Sequence, residues 1–180
     1  MKPSFQLAAV ACALSLALAG CSQSTPSTSS TESVQQSQTV KQYDAETFFD
    51  TTSIMGSSFS PKGDKILVSS DESGIYSLYE VDIKTAKKTR LTDFEDSTYA
   101  VAYFPQDERV LFTKDSGGNE RYHIYVRETD GTVKDLTPGE ETRAGFAGFT
   151  EDGKQFFITS NQRDAKFMDL YRVDANSYEV

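Results

Sequence analysis

Three phenylalanines, Phe59, Phe104 and Phe149, stand 45 residues apart, and each opens the same short string: FSPKGDKILV, FPQDERVLF and FTEDGKQFFI. A second signal follows in each copy at a spacing of 46: Leu78-Tyr79, Ile124-Tyr125 and Leu170-Tyr171. Three positions after each Tyr comes an acid, Asp82, Glu128 or Asp174. Leu91-Thr92 closes the first copy and Leu136-Thr137 the second. Recurrence at a fixed period means that the chain builds one supersecondary unit several times and buries core between neighbouring units.

Within a unit the apolar period is two, with β-branched and aromatic residues set between Gly, Asp, Asn and Pro, which is the pattern of short strands joined by tight turns. Four strands fit each copy; in the first they are expected near 54–59, 65–70, 76–83 and 88–92. The second strand carries an unbroken apolar triplet each time: Ile66-Leu67-Val68, Val110-Leu111-Phe112 and Phe156-Phe157-Ile158. A strand with one wet face would alternate, so these triplets predict sheets covered on both faces. Four-stranded sheets of about 45 residues stacked face to face are the blades of a β-propeller. The expected class is therefore all-β, a partial propeller of about three blades over 43–180. A β-sandwich would explain short strands but not the period.

Closed propellers have about four to eight blades. Three copies fall short of that, and the closing strand of the third is expected near 181–182. The expectation is an N-terminal piece of a longer protein, with a partner chain or self-assembly as alternatives. The outer faces of the first and last blades should be apolar and the third blade should keep an open strand edge.

The N-terminal residues predict export. Lys2 precedes an apolar run from Leu7 to Leu18, and Leu18-Ala19-Gly20-Cys21 follows, a short h-region closed by small residues. Residues 1–20 are expected to be a lipoprotein signal peptide and Cys21 the acylated residue, anchoring the chain on the periplasmic side of a bacterial membrane. Ser22, in place of Asp, points to the outer membrane. Cys12 falls inside the signal, so no disulfide is expected. Residues 21–42 are Ser, Thr and Gln almost throughout. They offer too little apolar surface to offset about 1 to 2 kcal/mol of backbone ordering per residue, and read as a tether. Without Lys2 the chain carries 17 basic and 27 acidic residues, a balance that argues against nucleic acid as a partner.

The stretch DSGGNERYHIYV contains the single histidine, His123. It falls between the second and third strands of the second copy, so Gly117, Gly118 and Asn119 are expected in a hairpin loop where Gly and Asn tolerate positive φ. His123 occupies the slot of Ser77 and Asp169 in the other copies, always polar and never the same, and reads as a structural strand residue. No G-x-S-x-G is present; Gly56-Ser57-Ser58-Phe59-Ser60 lacks the second glycine. One histidine and no free cysteine leave only carboxylates for a metal, and the acids at 93–96 and 140–141 lack the spacing of a calcium loop. No catalytic residue, metal ligand or cofactor is expected in these 180 residues.

The run 103–174, with YFPQDERVLFTKDSGGNERYHIYVRE, KDLTPGEE and FAGFTEDGKQFFITSNQRDAKFMDLYRVD, resembles the N-terminal propeller of bacterial prolyl oligopeptidase family serine peptidases, the group containing dipeptidyl aminopeptidases and acylaminoacyl peptidases. FSPKGDK also resembles the repeat of TolB-like propellers. The resemblance covers nearly all of 48–180. It implies a propeller placed before an α/β-hydrolase domain carrying Ser, Asp and His, and limiting access to oligopeptides. None of that family's catalytic motifs has a counterpart here, and Glu140-Glu141, in a turn after Leu-Thr-Pro, lacks the context of the pair that holds a substrate amino terminus.

Strands alternate in direction, so loops after second strands and between blades share one end. That end collects Asp71, Glu72, Asp93, Glu95, Asp96, Asp115, Glu120, Glu140, Glu141 and Asp164 against Lys114, Arg121, Arg143, Arg163 and Lys166. It is expected to be acidic, either for solubility or to face the hydrolase domain and cationic peptide ends. Two functions follow: a propeller of a lipid-anchored oligopeptide-hydrolysing serine peptidase, or a non-enzymatic TolB-like scaffold binding envelope proteins.

Overall fold

The computed structural model describes residues 40–180. The signal segment, Cys21 and most of the tether lie outside the described residues. Residues 40–42 are exposed coil, and Tyr43–Val180 form one compact unit.

Eleven strands follow a short helix. That helix, α1 (Ala45–Phe49), is an element the strand pattern did not anticipate; Asp44 caps it by accepting from the Thr47 amide at 2.8 Å, and no helix residue is buried. The first sheet holds β1 (Ile54–Phe59), β2 (Lys65–Ser70), β3 (Ser77–Asp82) and β4 (Lys88–Arg90). The second holds β5 (Thr98–Tyr103), β6 (Val110–Lys114), β7 (His123–Arg127) and β8 (Val133–Asp135), and the third β9 (Ala144–Phe149), β10 (Gln155–Ser160) and β11 (Asp169–Asp174). In every sheet the strands lie in chain order and pair antiparallel. The 45-residue repeat is thus one meander per copy, as expected of a propeller blade.

Core lies between the sheets. Leu67 and Leu78 of the first meet Tyr103, Val110 and Phe112 of the second. On the other side of the second sheet, Leu111, Ile124 and Val126 meet Phe156, Ile158 and Val173 of the third. Phe104 fills this layer, its ring 5.3 Å from Phe149 and 5.9 Å from Phe156, with the Arg109 guanidinium 4.2 Å above it. Burying such rings removes the largest apolar surfaces the chain has, which is why the sheets stack instead of standing alone.

Each first strand slips register near its middle. At the slip in β1, Gly56 has φ 65°, and a β-carbon there would come within 3.2 Å of the Ala100 carbonyl of the next sheet. Glycine is required on both counts. Opposite loops are tied across sheets as well: Lys62 reaches Glu108 at 3.4 Å, and the Gln106 amide donates to the Asp152 carbonyl at 2.8 Å.

The expectation that every second strand is covered on both faces needs correction. In β6, Val110, Leu111 and Phe112 are all buried, because sheets pack on either side. In β10 burial alternates, and Phe157 is only half-buried. The face of the third sheet that bears Phe157 has no sheet against it among the described residues. The three phenylalanines spaced by 45 are not structurally equivalent: Phe59 and Phe149 pair with Ile66 and Phe156 in the place where Tyr103 pairs with Val110, and Phe104 stands one residue further on, facing the third sheet. Phe104 is 1% exposed, whereas Phe59, on the face of the first sheet turned from the second, is 64% exposed.

Candidate functional site

The sequence's one histidine lies on the wall of a cleft of about 410 Å³ at the loop end of the second sheet. The loop between β6 and β7 forms one side and the loop between β8 and β9 the other. Gly117 and Gly118 have positive φ (59° and 74°), as expected for the turn. The third left-handed residue is Glu120 (φ 57°), not Asn119. Its amide donates to Asp115 Oδ2 at 3.0 Å, while Asn119 Oδ1 accepts from the Arg121 amide at 2.9 Å. The Asp115 and Asn119 side chains thereby hold the amides of Glu120 and Arg121 in a conformation that a non-glycine residue rarely takes.

His123 leads β7. Its Nδ1 lies 2.8 Å from Asp135 Oδ2 on β8, and the other Asp135 oxygen accepts the Thr137 amide at 2.9 Å. Arg121 spans the cleft, with its guanidinium 2.8 Å from Glu141 and donating to the Glu140 carbonyl at 3.2 Å. No serine hydroxyl is hydrogen-bonded to His123 among the described residues. No cluster of three or more potential metal ligands occurs among the described residues.

The expected acidic end is largely engaged in its own structure. Glu72 pairs with Lys88, Asp93 with Arg90 at 3.0 Å and Asp96 with Lys114 at 3.2 Å. Asp96 also accepts the Gly117 amide, which holds its carboxyl below the usual range together with Lys114, and Asp71 accepts the Ser53 amide. Glu140 and Glu95 have no side-chain partner among these pairs. Tyr76, Tyr99 and Tyr122 form a row, with successive ring centroids 5.4 and 5.9 Å apart. Burial raises the Tyr122 phenol.

Two features had no local signal in the sequence. The partner of His123 is Asp135, twelve residues on; only alignment with Ser77 and Arg90, joined at 2.9 Å in the first sheet, could have pointed to it. Arg109 ties the second sheet to the third by donating to the Ala175 carbonyl (2.8 Å) and the Tyr178 hydroxyl (2.6 Å), and Tyr178 donates to Glu128 at 2.6 Å.

With this geometry in hand, the comparisons with known proteins are specific. Over 74 residues the chain is 38% identical to dipeptidyl aminopeptidase BIII of Pseudoxanthomonas mexicana, covering 40% of this chain and 11% of that one. The similarity thus covers part of this chain and a small part of that peptidase. The crystal structure of TolB from Acinetobacter baumannii superposes with a TM-score of 0.53 at 26% identity, over 71% of this chain and 31% of TolB. A puromycin-hydrolysing peptidase of Mycobacterium tuberculosis shares the fold, with a TM-score of 0.54 at 17% identity, over 71% of this chain and 20% of that one. No protein-family profile matches the chain. The chain spans about a tenth of the curated relative's length.

Proposed function

We propose that this chain is the propeller portion of a serine peptidase that hydrolyses oligopeptides through an acyl-enzyme, its sheets docking on an α/β-hydrolase domain and limiting what reaches it. The observation that carries this reading is the 38% identity over 74 residues to a dipeptidyl aminopeptidase. The polar cleft at His123, Arg121 and Glu140 supplies hydrogen-bonding groups and the row of Tyr76, Tyr99 and Tyr122 supplies aromatic faces, groups that suit a peptide. In this reading peptide cleavage belongs to the hydrolase domain.

The reading includes the anchor. Leu18-Ala19-Gly20-Cys21 supports acylation at Cys21 and residence at the periplasmic side of a membrane, with the outer membrane favoured by Ser22. No helix among the described residues is long and apolar enough to cross a membrane. The test is to express the gene with its downstream coding sequence. The product should label with a fluorophosphonate, hydrolyse short peptides and not folded proteins, and incorporate palmitate in a manner abolished by Cys21→Ser. A product that is membrane-bound but neither labels nor cleaves would refute the peptidase. It would favour the second reading, a TolB-like scaffold recruiting envelope proteins, which the 26% identity to TolB supports.

A further inference from the structure

Among the described residues every glycine but one has positive φ, the conformation that calls for glycine. The exception is Gly145, the second residue of β9. Crowding does not exclude a side chain there: beyond its chain neighbours, a β-carbon on Gly145 would meet only the Thr159 hydroxyl oxygen, at 3.2 Å. Thr159 is its partner across the strand pair, and in the second sheet Thr113 stands in the same relation to Tyr99. A threonine in that place therefore tolerates a side chain as large as that of tyrosine. Neither backbone nor packing accounts for Gly145, and a strand glycine without such a cause marks a close approach by another group.

The repeat shows what is missing. Tyr99 follows Thr98 at the start of β5 as Gly145 follows Ala144 at the start of β9. The sheets are joined alike at these points: the Thr98 amide donates to the Tyr76 carbonyl and the Ala144 amide to the Tyr122 carbonyl, each at 2.8 Å. Tyr76, Tyr122 and Met168 each stand immediately before the third strand of their sheet, and the loops 115–122 and 161–168 that lead to Tyr122 and Met168 are equal in length. In the second sheet the Tyr99 ring lies between Tyr76, 5.4 Å away by centroid, and Tyr122, 5.9 Å away. By the same pairing, the corresponding place one sheet on lies between Tyr122 and Met168, and Gly145 leaves it without a ring. Tyr122 is half-buried and Met168 is 53% exposed.

We propose that the slot over Gly145 takes an aromatic side chain of a bound peptide, whose ring occupies the place that Tyr99 fills in the second sheet. The Tyr122 ring offers it an aromatic partner and the Met168 thioether a polarisable one, contacts that an alanine-sized side chain does not make. That a peptide carries the ring rests on the peptidase reading; the slot itself rests on the repeat.

The test titrates the full chain, isotope-labelled at its methionine methyls and tyrosine rings, with Gly-Phe-Gly and Gly-Ala-Gly and follows the nuclear magnetic resonance spectrum. Gly-Phe-Gly should shift the Met168 methyl and Tyr122 ring signals saturably, and bind at least about tenfold more tightly than Gly-Ala-Gly. Gly145→Tyr supplies the ring from within. It should weaken Gly-Phe-Gly binding at least about tenfold, with the Tyr103 and Tyr125 ring signals reporting an intact fold. Met168→Ala, on an exposed side chain, should weaken the same binding severalfold as read at Tyr122. Equal binding of the two peptides, or undiminished Gly-Phe-Gly binding by folded Gly145→Tyr, overturns the proposal. If Gly145→Tyr does not fold, Met168→Ala decides, and unchanged binding there overturns it. The peptidase reading fails separately, through a longer product that does not label with a fluorophosphonate; selective Gly-Phe-Gly binding at Tyr122 and Met168 would then keep the slot and lose the peptidase.

Discussion

Thr137→Val isolates the hydroxyl that accepts the Ile124 amide just past β8. The substitution keeps the side-chain shape and removes the hydroxyl oxygen that accepts the Ile124 amide at 2.9 Å; both residues are buried, so water cannot replace the acceptor. Leaving a buried donor unsatisfied costs about 1 to 3 kcal/mol. For a folded unit between small and mid-sized domains, each kcal/mol moves Tm by about 2 to 8 °C, so a fall of several degrees is expected. Thr137→Ser keeps the acceptor and loses a methyl, worth about 0.8 kcal/mol. The two variants can therefore resemble each other in Tm. They separate at the Ile124 amide, which should exchange near the global unfolding rate in the wild type and Thr137→Ser, and faster through local opening in Thr137→Val. If Thr137→Val leaves both Tm and Ile124 exchange unchanged, the hydroxyl is not the partner of that amide and the reasoning fails.

Leu78→Ala and Leu170→Ala change the same repeat position with opposite consequences. Leu78 is fully buried, so denaturant melts should show a loss of about 2 to 5 kcal/mol. Leu170 is 64% exposed, so its loss should stay within about 0.5 kcal/mol. Arg109→Met removes the donor to Ala175 and Tyr178 while keeping the stem over Phe104; the segment after β11 should become protease-sensitive before the rest of the fold, as mass spectrometry of limited digests would show. Burial raises Tyr125 to about 12, and burial with the Glu128 contact raises Tyr178 to about 12. Their protonated forms are thus favoured in the folded state. Stability should be full below about pH 10, the unfolded phenol value, and fall as pH rises toward about 12, with phenolate absorbance appearing later in folded than in unfolded protein.

Residues spaced along one segment carried most of the fold in advance. Period-two alternation between Gly, Asp and Pro turns is a local property, so β1 and β2 fall where the pattern places them, and the recurring strings that begin at Phe59, Phe104 and Phe149 mark one meander each, although Tyr103 and not Phe104 takes the structural place of the other two phenylalanines. The helix α1 escaped because five exposed residues with a cap leave no apolar periodicity to detect. The candidate site was half legible: the turn around Gly117 and Gly118 and the strand position of His123 follow from the string itself. The choice of Glu120 as the left-handed residue depends on where Asp115 points its carboxylate.

What only the tertiary structure decided is which chemically identical positions are buried and which polar residues meet. Leu78, Ile124 and Leu170 are alike in sequence, but the first two face a neighbouring sheet and the third does not. His123 reads alone until β8 brings Asp135 beside it, and Arg109 reads as an ordinary turn residue until the chain beyond β11 returns over Phe104. Alternation and turn chemistry act within a few residues and are written there; burial and pairing depend on what surface arrives from 12 to 70 residues away, which the local string does not encode.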